Sequence, residues 1–260
     1  MPEGDVVWYT ARRLHEALTG RVLTRSDFRV PRLATADLSG DVVSETVSRG
    51  KHLLTRTKSG LTVHTHLKMD GSWRVRPAAE RLRDSHRIRL LLANEEWQAI
   101  GYQLGVVELI RTSEEPRVTG HLGPDLLGPD WNPAEAVSRL AKHPDTAIAE
   151  ALLDQTNLAG IGNLYKCELL FLRGIWPWTP VRDVGDLTPL AVLARKLLTA
   201  NRGRWTQSTT GSLHRGGTTY VYGRRNQPCR RCGTLIRKAE QGDRITYWCP
   251  TCQPEPGGEH

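Results

Sequence analysis

The sequence predicts an α+β fold built in three successive parts. A helix leads a β-rich first half, a helical stretch follows, and a β-hairpin clamped by cysteines closes the chain. Three observations carry this. Val7, Ala11, Leu14 and Leu18 recur at helical spacing and stop at Gly20. From Arg21 to about Arg111, short runs of Val, Leu, Ile and Thr alternate with polar residues between Gly, Pro and Asp clusters, the pattern of a sandwich or barrel. After Gly120 the spacing becomes helical, and four of the five cysteines fall in two close pairs near the end.

The first helix is predicted over 4–18. Strands are predicted over 21–30, 42–48, 52–56, 61–66, 73–75, 86–92 and 106–110, with the charged stretch 80–85 as a loop. Two turns inside this region stand out. Arg49-Gly50-Lys51-His52 places a lysine on a tight turn between strands. His64-Thr65-His66-Leu67-Lys68-Met69-Asp70-Gly71 runs a strand into a turn tipped by a methionine, a side chain suited to wedging between bases or to folding back on the core.

His121-Leu122-Gly123-Pro124-Asp125 reads as a linker, and helices are predicted over 133–142, 147–154, 164–173 and 187–200. Between the second and third of these, Gly160-Ile161-Gly162-Asn163 is a glycine-rich turn feeding a helix, with Asn163 placed to cap it. Such a helix start is suited to phosphate, and is equally the pattern of an ordinary helix–turn–helix corner. The stretch 201–225, rich in Arg, Thr, Gly and Ser, is a basic connector. Cys229-x2-Cys232 and Cys249-x2-Cys252 have the spacing of a closed, structural four-thiolate zinc site, with strands over 234–238 and 244–248 joined by Gln241-Gly242-Asp243. Cys167, in an apolar helical segment, is a core residue.

The chain of 260 residues carries 36 Lys and Arg against 28 Asp and Glu, a net charge of +8. The excess fits a polyanionic partner, nucleic acid first, or a solvated basic surface, and charge alone does not choose between them. No run of residues approaches the length of a membrane span, and no basic segment followed by an apolar one marks a signal peptide. A cytoplasmic, nucleoid-associated protein is expected.

The first residues bring distinctive chemistry. Pro2 is small enough for Met1 to be trimmed, which leaves a secondary amine at the N-terminus. An α-amino group titrates near pH 8, and the positive end of the helix that follows disfavours its protonated form. A secondary amine attacking a sugar C1′ yields an iminium ion. Glu3 is placed to move the protons such an attack requires.

Taken in order, these pieces resemble the formamidopyrimidine-DNA glycosylase and endonuclease VIII family of DNA repair enzymes. The resemblance rests on Met1-Pro2-Glu3-Gly4, the Arg49-Gly50-Lys51 turn, His66-Leu67-Lys68-Met69-Asp70-Gly71, His121-Leu122-Gly123-Pro124-Asp125, the run from Leu152 to Asn163, and the cysteine hairpin. It implies a β-sandwich flanked by helices over 1–122, a helix-two-turn-helix domain over 123–215 and a zinc finger over 216–256. It implies a monomer acting on double-stranded DNA that contains damaged bases or abasic sites, with one structural Zn2+. Pro2 would be the nucleophile and Glu3 the general acid and base. Lys51 would contact the lesion phosphate and assist β-elimination, and Arg244 would grip neighbouring phosphates and assist δ-elimination. Lys68, Met69, His121 and Asn163 would contact DNA, with Met69 filling the gap left by an everted base.

Gly4 is similar to the endonuclease VIII branch, which favours oxidised pyrimidines. The Arg-Arg-Phe-Gly loop of the other branch is replaced here by Gly101-Tyr102-Gln103-Leu104-Gly105, in which Leu104 is a candidate wedge. Asp5-Val6 stands where the family often continues with Pro-Glu, so a second carboxylate near the nucleophile has moved or vanished. The alternative reading is a DNA-binding protein that kept the scaffold without the chemistry.

Overall fold

The computed structural model describes Pro2–Gly257, and the chain divides into two compact units, one ending at His121 and one starting at Leu122. The first unit opens with α1 (Gly4–Leu18), as its apolar spacing requires. Eight strands follow: β1 (Arg25–Phe28), β2 (Val43–Arg49), β3 (His52–Thr57), β4 (Leu61–His66), β5 (Ser72–Pro77), β6 (Ile88–Ala93), β7 (Trp97–Tyr102) and β8 (Val106–Arg111). They form two antiparallel sheets, ordered β1-β6-β7-β5 and β2-β3-β4-β8. Val7, Ala11, Leu14 and Leu18 of α1 join Leu53, Val63, Leu90, Leu92 and Ala99 in one buried core. At about 25 cal/mol per Å2 of buried apolar surface, each of its leucines contributes on the order of 2 kcal/mol.

Alternation along β3 and β4 turns Leu53 and Val63 to this core and His52, Arg56, Thr62, His64 and His66 to the opposite face of their sheet. A short helix, α2 (Pro116–Thr119), is preceded by Glu115, which takes part in a buried ionic knot there. Arg56 reaches both oxygens of Glu115 at 2.7 Å and Glu45 at 2.6 Å, and Thr62 Oγ1 donates to Glu115 at 2.7 Å. Burial pushes the Glu115 carboxyl upward, but the bonds from Arg56 and Thr62 outweigh it and hold the group below the usual range.

β7 is absent from the strands expected from the sequence. Its residues Gln98, Ala99, Ile100 and Gly101 are all withdrawn from solvent, so no in–out alternation marks it. It lies between β5 and β6, and Gln98 satisfies itself by donating to Pro77 O at 3.0 Å.

The second unit contains α3 (Pro133–Leu140), α4 (Ile148–Leu153), α5 (Asn163–Arg173), α6 (Thr188–Asn201) and the hairpin β9 (Arg237–Gln241) with β10 (Arg244–Trp248). Leu140, Ile148, Leu152, Leu169, Leu190 and Leu198 share one helical core. Asn132 caps α3 by accepting from Ala134 N and Glu135 N, and left-handed Gly174 ends α5.

Two boundaries differ from expectation. Gly162, not Asn163, is the N-cap of α5, so Asn163 lies in the first turn and its side chain is released for other work. The hairpin turn spans only Gly242-Asp243, because Gln241 pairs with Arg244, and the first strand therefore shifts toward the tip. Gly242 supplies the positive φ of 55° that such a two-residue turn needs at its first position.

α5 is buried almost throughout. Glu168, wholly withdrawn from solvent, accepts from the backbone amides of Tyr220 (2.7 Å), Val221 (2.8 Å) and Tyr222 (2.8 Å) and from Thr209 Oγ1. This carboxylate closes the base of the basic connector. Glu168→Ala is expected to cost about 3 kcal/mol, since each buried amide left unpaired costs roughly 1–3 kcal/mol. Denaturant melts measure the loss, and limited proteolysis should show faster cleavage within 202–219. Unchanged stability and cleavage would show that the anchor is dispensable.

Candidate functional site

Pro2 is half-buried immediately before α1. Glu3, the N-cap residue, is completely buried, and so is Asp5 in the first turn. Asp5 is a carboxylate one position nearer the nucleophile than the family's second one, and it lies in the first turn, where the dipole favours a negative charge. Met1 lies outside the described residues.

Lys51 occupies the two-residue turn between β2 and β3, where Arg49 pairs with His52 and Gly50 takes a φ of 57°. The first central position of this turn is where type II′ hairpins select glycine. Lys51 itself is half-buried.

The next turn, after β4, is tightly built. Gly71 N donates to Leu67 O at 2.9 Å, and a Cβ at Gly71 would lie 2.4 Å from that oxygen. Lys68 takes a φ of 53°, and its amide donates to His66 Nδ1 at 2.9 Å. Met69 is 55% exposed at the tip, so it projects rather than folding back. Leu104 does the opposite. It is 6% exposed, packs in the sandwich core and would collide with a Cβ at Gly101. Leu104 is a core residue, and the wedge role considered for it falls away; the adjacent Gln103, with a φ of 47°, takes the bend instead.

A histidine cluster lies behind Lys51 and Lys68. The His52 ring stands 5.0 Å from His66 and 6.2 Å from exposed His121, edge-on in both cases. Burial, then the neighbouring His66, His64, His121 and Lys68, pulls His52 down to about 3. Burial, then Lys68, Lys51 and His64, pulls His66 down to about 4. The cluster is not legible residue by residue, because the pairing of β3 with β4 brings His52, His64 and His66 together and His121 joins them from the end of the unit.

In the second unit, Asn163 is 7% exposed. Its Nδ2 donates to Ile245 O of β10 at 2.8 Å, while its Oδ1 is buried without a hydrogen-bond partner among the described residues. Lys166 Nζ reaches Thr246 Oγ1 at 2.7 Å, and Tyr247 N reaches Cys167 Sγ at 3.4 Å. α5 thus carries the hairpin through three successive residues of β10. Arg244 opens β10, half-buried, with Asp243 Oδ2 3.4 Å away.

The four cysteine sulfurs Cys229, Cys232, Cys249 and Cys252 all lie within 4.8 Å of one another. Cys229–Cys252 is 3.9 Å and Cys232–Cys249 is 3.5 Å. Thiolates at 2.3 Å from a tetrahedral ion are separated by about 3.7 Å, so these sulfurs fit a metal of zinc's size with no position left open.

Comparison with known proteins accounts for this arrangement. Residues 1–101 match the formamidopyrimidine-DNA glycosylase N-terminal domain, 122–198 the formamidopyrimidine-DNA glycosylase H2TH domain, and 226–254 the zinc finger found in FPG and IleRS. The chain belongs to the formamidopyrimidine-DNA glycosylase and endonuclease VIII family. It is 57% identical to a probable endonuclease 8 2 of Streptomyces coelicolor, over 99% of this chain and 97% of that one. It is 49% identical to the DNA-(apurinic or apyrimidinic site) lyase Nei2 of Mycolicibacterium smegmatis, over 97% and 99%. The formamidopyrimidine-DNA glycosylase of Lactococcus lactis, solved with DNA containing an abasic site, superposes with a TM-score of 0.82 at 25% identity, covering 97% of this chain and all of that one. Like its family, the chain is a DNA glycosylase with lyase activity at abasic sites. No helix among the described residues is long and apolar enough to cross a membrane.

The histidine cluster has a consequence for stability. His52 and His66 have folded-state values below the unfolded value of about 6.5, so the unfolded chain binds protons that the folded chain refuses. Stability is complete above pH 6.5 and is lost as pH falls toward 3–4. His66→Gln should flatten this decline between pH 7 and 5 in denaturant titrations. A decline as steep as that of the wild type would sink the assignment.

Proposed function

We propose that this chain is a bifunctional glycosylase and AP lyase that removes oxidised pyrimidines from double-stranded DNA and cuts the strand in base excision repair. The observation that carries this reading is the burial of the Glu3 carboxylate directly beside Pro2, at the start of α1. A carboxylate withdrawn from water next to a secondary amine is placed to transfer a proton to and from the reacting sugar.

With Met1 removed, the Pro2 nitrogen attacks C1′, the bond from C1′ to the base breaks and the nitrogen gives up its proton, leaving an aminal still closed through O4′. Glu3 supplies the proton to O4′ that opens the sugar ring, and the nitrogen lone pair forms the iminium ion as the C1′–O4′ bond breaks. Loss of a C2′ proton then expels the 3′ phosphate, and a second elimination expels the 5′ phosphate. Lys51 on its turn and Arg244 at the hairpin are assigned to the phosphates that leave. Asn163 uses one amide N–H on Ile245 O and keeps its second for a phosphate at the α5 N-terminus, with help from the helix dipole. Lys68 and His121 contact the backbone, and exposed Met69 fills the space of the everted nucleotide. Preference for pyrimidines rests on Gly4 and on the absence of an arginine pair in 101–105.

Zn2+ held by Cys229, Cys232, Cys249 and Cys252 supplies no chemistry to the reaction. It fixes the hairpin that presents Arg244. The protein is read as a monomer that works in the cytoplasm, at the nucleoid.

Borohydride should trap a covalent adduct between the processed protein and an abasic duplex. Pro2→Gly and Glu3→Gln should lose base excision by at least about 100-fold while keeping DNA affinity, as removal of a nucleophile or a general acid does. A processed wild-type protein that traps nothing beside a known lyase, or variants that lose binding and excision together, would overturn the assignment. Chelation should release one equivalent of zinc and abolish DNA binding while α1 and the two sheets stay folded; metal-free protein with full affinity would refute that role.

A further inference from the structure

The outer face of the sheet β2-β3-β4-β8 holds a line of polar side chains that the chemistry above leaves unused. His64 on β4 is nearly sealed from solvent, its side chain 4% exposed. Its Nδ1 lies 2.8 Å from Glu108 Oε2 on β8, and its Nε2 lies 2.8 Å from His52 Nδ1 on β3. The two imidazole rings are within 17° of coplanar, as an in-plane N–H···N bond requires. Glu108 is 49% exposed. The line therefore starts in solvent, passes through a sealed ring and ends at His52, the residue after Lys51.

With both rings neutral, donor counting orders the hydrogens along this line. A carboxylate only accepts, so a neutral His64 carries its hydrogen on Nδ1 and presents Nε2 as an acceptor. His52 then donates from Nδ1, and its Nε2 carries no hydrogen. The charged and titratable groups facing the line are His66, His121, Lys51 and Lys68 at the His52 end, and Glu115 with Arg56 near His64.

We propose that Glu108, His64 and His52 form a proton relay that carries protons from beside the Lys51 turn to solvent during strand scission, each ring passing its proton on without storing it. A proton arriving at His52 Nε2 displaces the Nδ1 hydrogen to His64 Nε2. His64 in turn passes its own Nδ1 hydrogen to Glu108. Both rings end neutral as Nε2–H tautomers, the Glu108 carboxylic acid gives its proton to water, and each ring returns to its Nδ1–H form before the next proton can pass. The three are positioning residues, and their role in scission rests on the reading of Lys51 as a lyase residue. A triad that merely ties β3, β4 and β8 together would lower stability and reduce activity equally at every pH.

Two measurements on the full chain decide the matter. Imidazole nitrogen NMR of the wild type should show His64 and His52 as Nδ1–H tautomers, and Glu108→Gln should return His52 to a mixture. Single-turnover scission of an abasic duplex should slow roughly tenfold in Glu108→Gln, below the 100- to 10,000-fold typical of a group that transfers the proton directly. The pH profile should shift with it, and Glu108→Asp should restore the wild-type shape. An Nε2–H tautomer at His64, a superimposable pH profile, or a loss that simply follows the melting temperature would overturn the relay. The NMR result judges it even in a protein that traps no borohydride adduct, so a failed relay and a failed Pro2 assignment are read separately.

Discussion

Helix α5 is the constraint on which the second unit depends. Asn163, Lys166, Cys167 and Glu168 lie within two turns of it, and each is tied to a different partner: Ile245 O, Thr246 Oγ1, Tyr247 N and the amides of 220–222. A helix interior ordinarily buries apolar groups, and polar ones are tolerated only when satisfied. Here the polar groups are the fasteners. They hold the hairpin and the basic connector against a single rigid element, so the start of α5 and the residues of β10 keep a fixed geometry relative to each other. The four cysteine sulfurs cluster at the far end of the same hairpin.

The first unit solves a different problem. Its two sheets enclose an ordinary apolar core, yet one sheet is polar on its other face and still largely hidden from water. Arg56 with Glu45 and Glu115, and His64 with Glu108 and His52, form two adjoining networks that satisfy that face. Part-buried charge of this kind contributes little net stability, yet it leaves the polar groups of this face satisfied. The Lys51 turn stands at the edge of this face, so its geometry is set by strands that cannot slip without breaking both networks.

Much of this was legible in the chain. The spacing of Val7, Ala11, Leu14 and Leu18 gave α1 its bounds, and the paired cysteines marked the hairpin because thiolate spacing has few other meanings. β7 was not legible, since Ala99 and Gly101 hide both of its faces without an apolar–polar rhythm. The N-cap of α5 was misplaced by one residue, because Asn163 has the composition of a cap while Gly162 has the backbone for it. The role of Leu104 depended on which way one side chain turns at a bend, which local sequence does not encode. The histidine cluster was invisible for a related reason: strand register, not proximity in sequence, assembles it.

The contact between Lys68 and Gly105 has a wider consequence. A Cβ at position 105 would lie 2.3 Å from Lys68 Cγ and 2.7 Å from Lys68 Cβ, and the Gly105 amide is already committed to His66 O at 3.0 Å. The methionine-tipped turn and the bend after β7 are thus interlocked through a residue with no side chain. Any side chain at position 105 displaces Lys68, so a change on one side of this contact is felt on the other and the two segments tolerate substitution only as a pair.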